Sequence, residues 1–169
     1  MKVLFVLFFG LLTTFSVTAQ DVAEVKPEKE YKATMDGWLV DIDEAYERSV
    51  KEGKPILANF TGSDWCGWCI RLKSEVFTTK EFKKWAKANV ILLELDFPRR
   101  FKLPENIQQQ NQGLAQAFSV SGYPTVWIFN LEVDPEANKS NIVPLARSGY
   151  VKGGPEAWIA DIKAKLAQQ

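Results

Sequence analysis

Trp65-Cys66-Gly67-Trp68-Cys69 holds both cysteines of this 169-residue chain, with two residues between them. They follow an apolar run, Pro55 to Phe60. A strand that feeds a Cys-x-x-Cys at the mouth of a helix presents a dithiol for disulfide exchange. The strand fixes the position, and the helix N-terminus offers unpaired N–H groups and a partial positive charge that stabilise a thiolate. The thiolate is the form that attacks a disulfide. Two other uses of such a pair fit this chain poorly. A purely structural disulfide over a two-residue spacer closes a tiny ring and constrains very little chain. Zinc takes about four ligands, and the chain offers two cysteines and no histidine. No metal is expected.

The start of the chain reads as a secretory signal over residues 1–19. Lys2 is its basic region, Val3 to Phe15 its apolar stretch, and Val17-Thr18-Ala19 a small-residue cleavage site. The apolar stretch is short for a membrane span; an uncleaved anchor is the alternative. Acidic and basic residues balance at 21 each, so removal of Lys2 leaves the remainder one charge negative. A near-neutral chain has no global electrostatic footprint for nucleic acid. Export after Ala19 to an oxidising compartment, the periplasm, lets a cysteine pair stay oxidised. Residues 20–36 are polar and periodless and read as a flexible lead, with the folded domain at 37–169.

The elements that must position the dithiol follow from periodicity. Asp41 to Glu52 reads as a helix capped by Asp41, with Glu44 three residues on and Ile42, Ala45, Tyr46 and Val50 inward. Pro55 to Phe60 is a buried strand, Thr61 to Asp64 a turn, and a helix runs from about Cys66 to Val76. Cys69, Leu72 and Val76 share its inward face, which predicts an exposed first cysteine and a more buried second. A short helix over Thr79 to Ala88, a strand within Asn89 to Phe97, and a helix over Glu105 to Phe118 come next. Strands at Thr125–Asn130 and Val143–Gly149 flank a polar turn. A last helix opens at Gly153-Gly154-Pro155, with Trp158, Ile159, Ile162 and Leu166 inward. Alternating helices and strands with a late hairpin imply an α/β domain, a mixed sheet with helices on both faces.

With these pieces in order, the chain resembles the thioredoxin-like superfamily, and most closely its exported bacterial disulfide-interchange proteins. Three segments carry the resemblance: Pro55 to Phe77 around the Cys-x-x-Cys, Val120-Ser121-Gly122-Tyr123-Pro124-Thr125 before an apolar strand, and Gly149 before an amphipathic C-terminal helix. The resemblance implies a thioredoxin-like fold with a central mixed sheet of four to five strands. It implies Cys66 as nucleophile, Cys69 as resolving cysteine, and a cis Pro124 beside them. It implies that backbone at Tyr123 pairs with an extended substrate, with Trp65, Gly67 and Trp68 around it.

The chain also departs from the family. Thioredoxin's buried acid is matched here by Asn59, which cannot accept a proton as a carboxylate does. The lysine that accompanies that acid is replaced by an apolar residue near Leu92. Glu94 and Asp64 are the carboxylates that can substitute as a proton relay; their plainer readings are a surface acid and a turn or cap residue. Gly67-Trp68 brings no histidine to the dithiol, so thiolate stabilisation rests on the helix end and is opposed by Asp64. Trp65 reads as packing into the domain and Trp68 as a surface contact. Arg99, Arg100 and Lys102 read as a solvated loop, with steering of acidic partners as the alternative. Gln108 to Gln112 reads as polar helix surface.

Together these imply an exported thiol–disulfide oxidoreductase, reductase or isomerase, with no cofactor beyond its redox-active disulfide. Its partners would be protein disulfides and a membrane-bound electron donor; a monomer suffices for exchange. A dithiol oxidase and a non-catalytic polypeptide-binding module are the alternatives.

Overall fold

The computed structural model describes residues 31–134, 136 and 139–168. The expected signal segment and the lead as far as residue 30 lie outside the described residues. Among the described residues no helix is long and apolar enough to cross a membrane.

The chain runs through α1 (Ile42–Glu52), β1 (Ile56–Thr61), α2 (Gly67–Leu72), a π-helical turn (Lys73–Phe77), α3 (Lys80–Asn89) and β2 (Ile91–Asp96). It continues through α4 (Glu105–Ala117), β3 (Thr125–Asp134), β4 (Lys139–Ser148) and α5 (Gly154–Leu166). The four strands form one mixed sheet in the order β2-β1-β3-β4. β1 and β2 are parallel, which their crossover through α2 and α3 allows, and β3 pairs antiparallel with both β1 and β4. A single bridge from Leu39 to Leu93 adds to the outer edge of β2. The thioredoxin-like α/β architecture expected from the sequence is therefore present, with four strands.

Alternation along the central strand sorts the core into two layers. Leu57 packs with Leu72, Val76, Phe77, Phe82 and Trp158, so α2, the π turn, α3 and α5 cover one face. Ile56, Ala58 and Phe60 pack with Ala45, Leu114 and Phe118, so α1 and α4 cover the other. β1 is buried along its whole length because it is covered on both sides.

Local departures from the sequence reading have physical causes. Val50 is 65% exposed; α1 buries Ala45, and Val50, five positions on, lies about 140° around the helix from it. The helix after the cysteines widens into a π turn, closed by Thr78 N–H to Lys73 C=O at 3.0 Å. That widening lets the adjacent Val76 and Phe77 both face inward. β3 and β4 extend to Asp134 and from Lys139, taking most of the expected polar turn into a longer hairpin. The packed chain also starts earlier than residue 37. Met35 is buried, and Thr34 is hydrogen-bonded to Glu94. These contacts are isolated, so they leave no periodic trace.

Candidate active site

Cys66 is the N-cap of α2, not part of its first turn. Its backbone is extended, and its sulfur accepts the Cys69 N–H at 3.2 Å. Cys66 and Cys69 are joined in a disulfide. They are 7% and 5% exposed, so the expected contrast between an open first sulfur and a buried second is absent. The cap geometry explains this, because it turns the Cys66 sulfur back over the helix end. Gly62 C=O accepts both Trp65 N–H (3.3 Å) and Cys66 N–H (2.9 Å), which fixes the turn between β1 and α2. A side chain at Gly62 would start 2.5 Å from the Trp65 indole, so only glycine leaves room for that ring.

Tyr123–Pro124 is a cis peptide. Tyr123 meets Trp65 edge-on at 5.8 Å between ring centroids, which brings the proline loop and the dithiol to the same end of the sheet. Gly149 passes close to this loop; a Cβ there would lie 3.2 Å from Pro124 O.

Two aromatic walls flank the cysteines. Trp65 donates its Nε1–H to Phe97 C=O at 2.7 Å, and the Arg99 guanidinium lies 3.6 Å over its ring. Asp64 accepts Arg99 N–H (3.0 Å) and Arg100 N–H (2.6 Å). Partial burial works to raise the Asp64 carboxyl, but these two bonds outweigh it and hold the group below the usual range. Asp64 is thus a clamp on the Phe97–Arg100 loop, and its oxygens are committed there. The second wall is Trp68, 55% exposed, 5.0 Å from the Tyr150 ring and 5.5 Å from the Arg71 guanidinium. Glu75 accepts Tyr150 Oη–H at 2.6 Å and Arg71 Nε–H at 2.8 Å, which hold its carboxyl low. Gly67, between the cysteines, is exposed with open space above it. Only the Arg71–Glu75 spacing of four residues on a helix could have hinted at this second cluster.

Beneath α2 lies a buried polar layer. Asn59 is 3% exposed and its Oδ1 has no hydrogen-bond partner. Its register partner on β2 is Glu94, 1% exposed, so the two side chains share the sheet face that α2 covers. Glu94 is therefore not a surface acid. Thr34 N–H and Thr34 Oγ1–H donate to its two oxygens at 2.7 and 2.8 Å, and Lys73 Nζ in turn donates to Thr34 O at 2.9 Å. Burial pushes the Glu94 carboxyl above its ordinary range despite the Thr34 bonds, and nearby Asp96 adds to the push. The Tyr31 hydroxyl is also buried without a partner, and burial, Asp96 and Glu94 raise its pKa. Asp96 accepts Ser63 N–H, Ser63 Oγ–H and Phe97 N–H. Periodicity cannot reveal Tyr31 or Thr34, which lie in an irregular segment.

Among the described residues no cluster of histidine, cysteine, aspartate and glutamate could hold a metal.

A thioredoxin-like family model matches residues 37–130. The disulfide bond reductase DsbH of Chlamydia pneumoniae is 37% identical over 123 residues, covering 73% of this chain and 69% of that protein. The thioredoxin-related protein DsbJ of the same organism is 32% identical over 95 residues, 56% of this chain and 27% of that protein. A solved structure titled DsbH oxidoreductase superposes with a TM-score of 0.65 at 32% identity, covering 84% of this chain and 96% of that one. The chain belongs to the thioredoxin-like family.

Two predictions follow from this geometry. Gly62→Ala forces the Trp65 ring away from Phe97 C=O, an overpacking that costs about 1–3 kcal/mol. A lower urea midpoint with a shifted tryptophan emission checks it; an unchanged midpoint counts against the close approach. Glu94 titrates above its unfolded value of 4.5, so the native state binds more protons than the unfolded chain between the two values. Its contribution is most favourable below the unfolded pKa and declines as pH rises through the folded one. Glu94→Gln lacks this decline. Its stability relative to the parent should improve as pH rises above 4.5 in urea titrations, and a pH-independent difference would contradict the assignment.

Proposed function

We propose that the chain is an exported thiol–disulfide oxidoreductase that reduces protein disulfides through Cys66 and Cys69. The observation that carries the reading is the disulfide seated on a helix N-terminus, with the Cys69 N–H already aimed at the Cys66 sulfur. That donor stabilises negative charge on the nucleophile when the pair is reduced. Likeness to a protein named a disulfide bond reductase supports the direction.

In the reduced enzyme, the Cys66 thiolate attacks one sulfur of a substrate disulfide. A Cys66–substrate disulfide forms, and the other substrate sulfur leaves as a thiolate that takes up a proton. Cys69 loses its proton and attacks the Cys66 sulfur. The Cys66–Cys69 bond forms, the second substrate thiol is released, and two electrons have passed to the substrate. Glu94, ionised, receives the Cys69 proton from beneath α2, taking the role that Asn59 cannot fill. Its raised pKa brings it nearer to a thiol's range and so makes it a better base than an exposed carboxylate. Asp64 holds the neighbouring loop instead. Tyr123 and Pro124 supply the edge on which an extended substrate pairs, and Trp65, Gly67 and Trp68 line its path. In an oxidising compartment the oxidised pair returns to dithiol at the expense of an electron donor in the membrane. The region before Tyr31 serves as a signal cleaved after Ala19, followed by a lead.

Cys69→Ser should accumulate a covalent substrate complex, seen on non-reducing gels and released by dithiothreitol; absence of any complex removes Cys69 from the resolving role. Cys66→Ser should abolish exchange. Full exchange activity in that variant would exclude Cys66 as the nucleophile. The reduction potential should fall near about −270 mV, because no histidine assists the thiolate, and equilibration against dithiothreitol measures it. A value between about −180 and −120 mV would make the protein an isomerase or an oxidant instead.

A further inference from the structure

The loop after β2 is built against the active site, although it contributes nothing to the exchange steps. Arg99, Arg100, Phe101 and Lys102 are all exposed, and Phe101 keeps 44% of its surface open to water. The loop is nevertheless tied down at every turn. Asp64 binds two of its backbone N–H groups, the Trp65 indole binds Phe97 C=O, Arg99 lies on the Trp65 ring, and the Asn111 amide binds Asp96 C=O at 2.9 Å. An ordinary solvated loop needs none of these.

Between this loop and α4 lies a cleft of about 510 Å³. Its walls include Arg99, Phe101, Lys102, Gln108 and Gln112. Three acids stand at this end, and Glu105, in the first turn of α4, accepts from the Gln109 amide at 3.0 Å. Asp96 is fully buried and takes three donors from the turn and its own strand end, and Asp64 is filled by Arg99 and Arg100 N–H. Three exposed cationic side chains and two exposed amides stand here against one exposed acid, Glu105. The chain as a whole balances 21 acids against 21 bases, so this surplus is local.

We infer that the Arg99–Lys102 loop and the cleft behind it are a docking site for an acidic, extended segment of the protein partner, on the Trp65 side of the dithiol. The inference rests on the oxidoreductase reading for its purpose, but not for its chemistry. Carboxylates would meet Arg100, Lys102 and the Gln108 and Gln112 amides, and an apolar side chain would meet Phe101. Because Trp65 directly precedes Cys66, a segment held there lies beside the disulfide to be attacked. Charge placed at a rim raises the encounter rate and selects partners more than it deepens binding.

The test uses two cysteine-free peptides of equal length, one alternating aspartate with leucine and one alternating serine with leucine. Binding to the full chain is read from tryptophan fluorescence. The acidic peptide should bind about tenfold more tightly, and the preference should shrink as salt shortens the Debye length. The double variant Arg100→Glu, Lys102→Glu should erase it. Lys80→Glu, Lys84→Glu on α3 makes the same change in net charge and should keep it. Equal affinity for the two peptides, or equal loss in both double variants, overturns the docking site. The same peptides carrying a disulfide separate the two readings. Preferred acidic binding without turnover would sink the oxidoreductase reading and leave the docking site standing. Turnover of both at equal rates, with equal affinities, would do the reverse.

Discussion

The hydrogen bond from the Cys69 N–H to the Cys66 sulfur exists only if α2 begins at Gly67. Were the helix to start a residue earlier, Cys66 would be helical and its sulfur would leave the open donors at the end. One such bond contributes about 1 kcal/mol and cannot hold a helix in place. The inward face does that. Leu72, Val76 and Phe77 are buried against β1 and α5, each contributing roughly 1.5–3 kcal/mol. The core therefore decides where the helix lies along the sheet. The turn then decides its starting residue, through Gly62 C=O and the Trp65 indole that only a glycine admits.

The same placement explains the polar layer under α2. Two carboxylates sit on alternate positions of β2, both facing the side that α2 covers. Asp96 is answered by three donors. Glu94 has only the two from Thr34, with Lys73 one step behind, and burial prevails over them. On the same face Asn59 Oδ1 lacks a partner, and the Tyr31 hydroxyl, whose pKa Glu94 and Asp96 help to raise, lacks one too. Buried polar groups are nearly always satisfied elsewhere in proteins. A buried layer left incomplete is a place where protonation state can change at low structural cost.

How much of this could be read from the sequence depended on whether a feature repeats. The helices and strands carry their periods, so the order of elements, the buried Cys69–Leu72–Val76 stripe and both faces of the sheet were legible. The proline loop was legible through likeness to a known pattern. Contacts that one residue makes once were not. Thr34 clamps a carboxylate 60 positions away, and Tyr150 orients Glu75 from 75 away. Asp64 was visible as a polar turn residue, but its partners in the Phe97–Arg100 loop were not, since a backbone N–H leaves no mark in composition. Glu94 was singled out as a relay, with a surface acid as the plainer reading, because burial on both sides of β2 hides the alternation that would have sorted it.

The two aromatic walls differ in what holds them, and that difference has a direction. Trp65 is fixed by an indole hydrogen bond to backbone, by edge contact with Tyr123 and by Arg99 on its face, all within the packed end of the sheet. Trp68 rests on Tyr150 and Arg71, which share the Glu75 carboxylate and meet each other at 5.9 Å between guanidinium and ring. Surface ion pairs of this kind contribute little to stability and are readily exchanged for water. The Trp65 wall is therefore held by more, and more buried, contacts than the Trp68 wall. Disulfide exchange needs three sulfurs nearly in line, and partners of different shape can meet that demand only if one side of the groove yields. A more firmly held wall carrying the basic loop and a less firmly held wall carrying the exposed indole suit that demand around the same pair of cysteines.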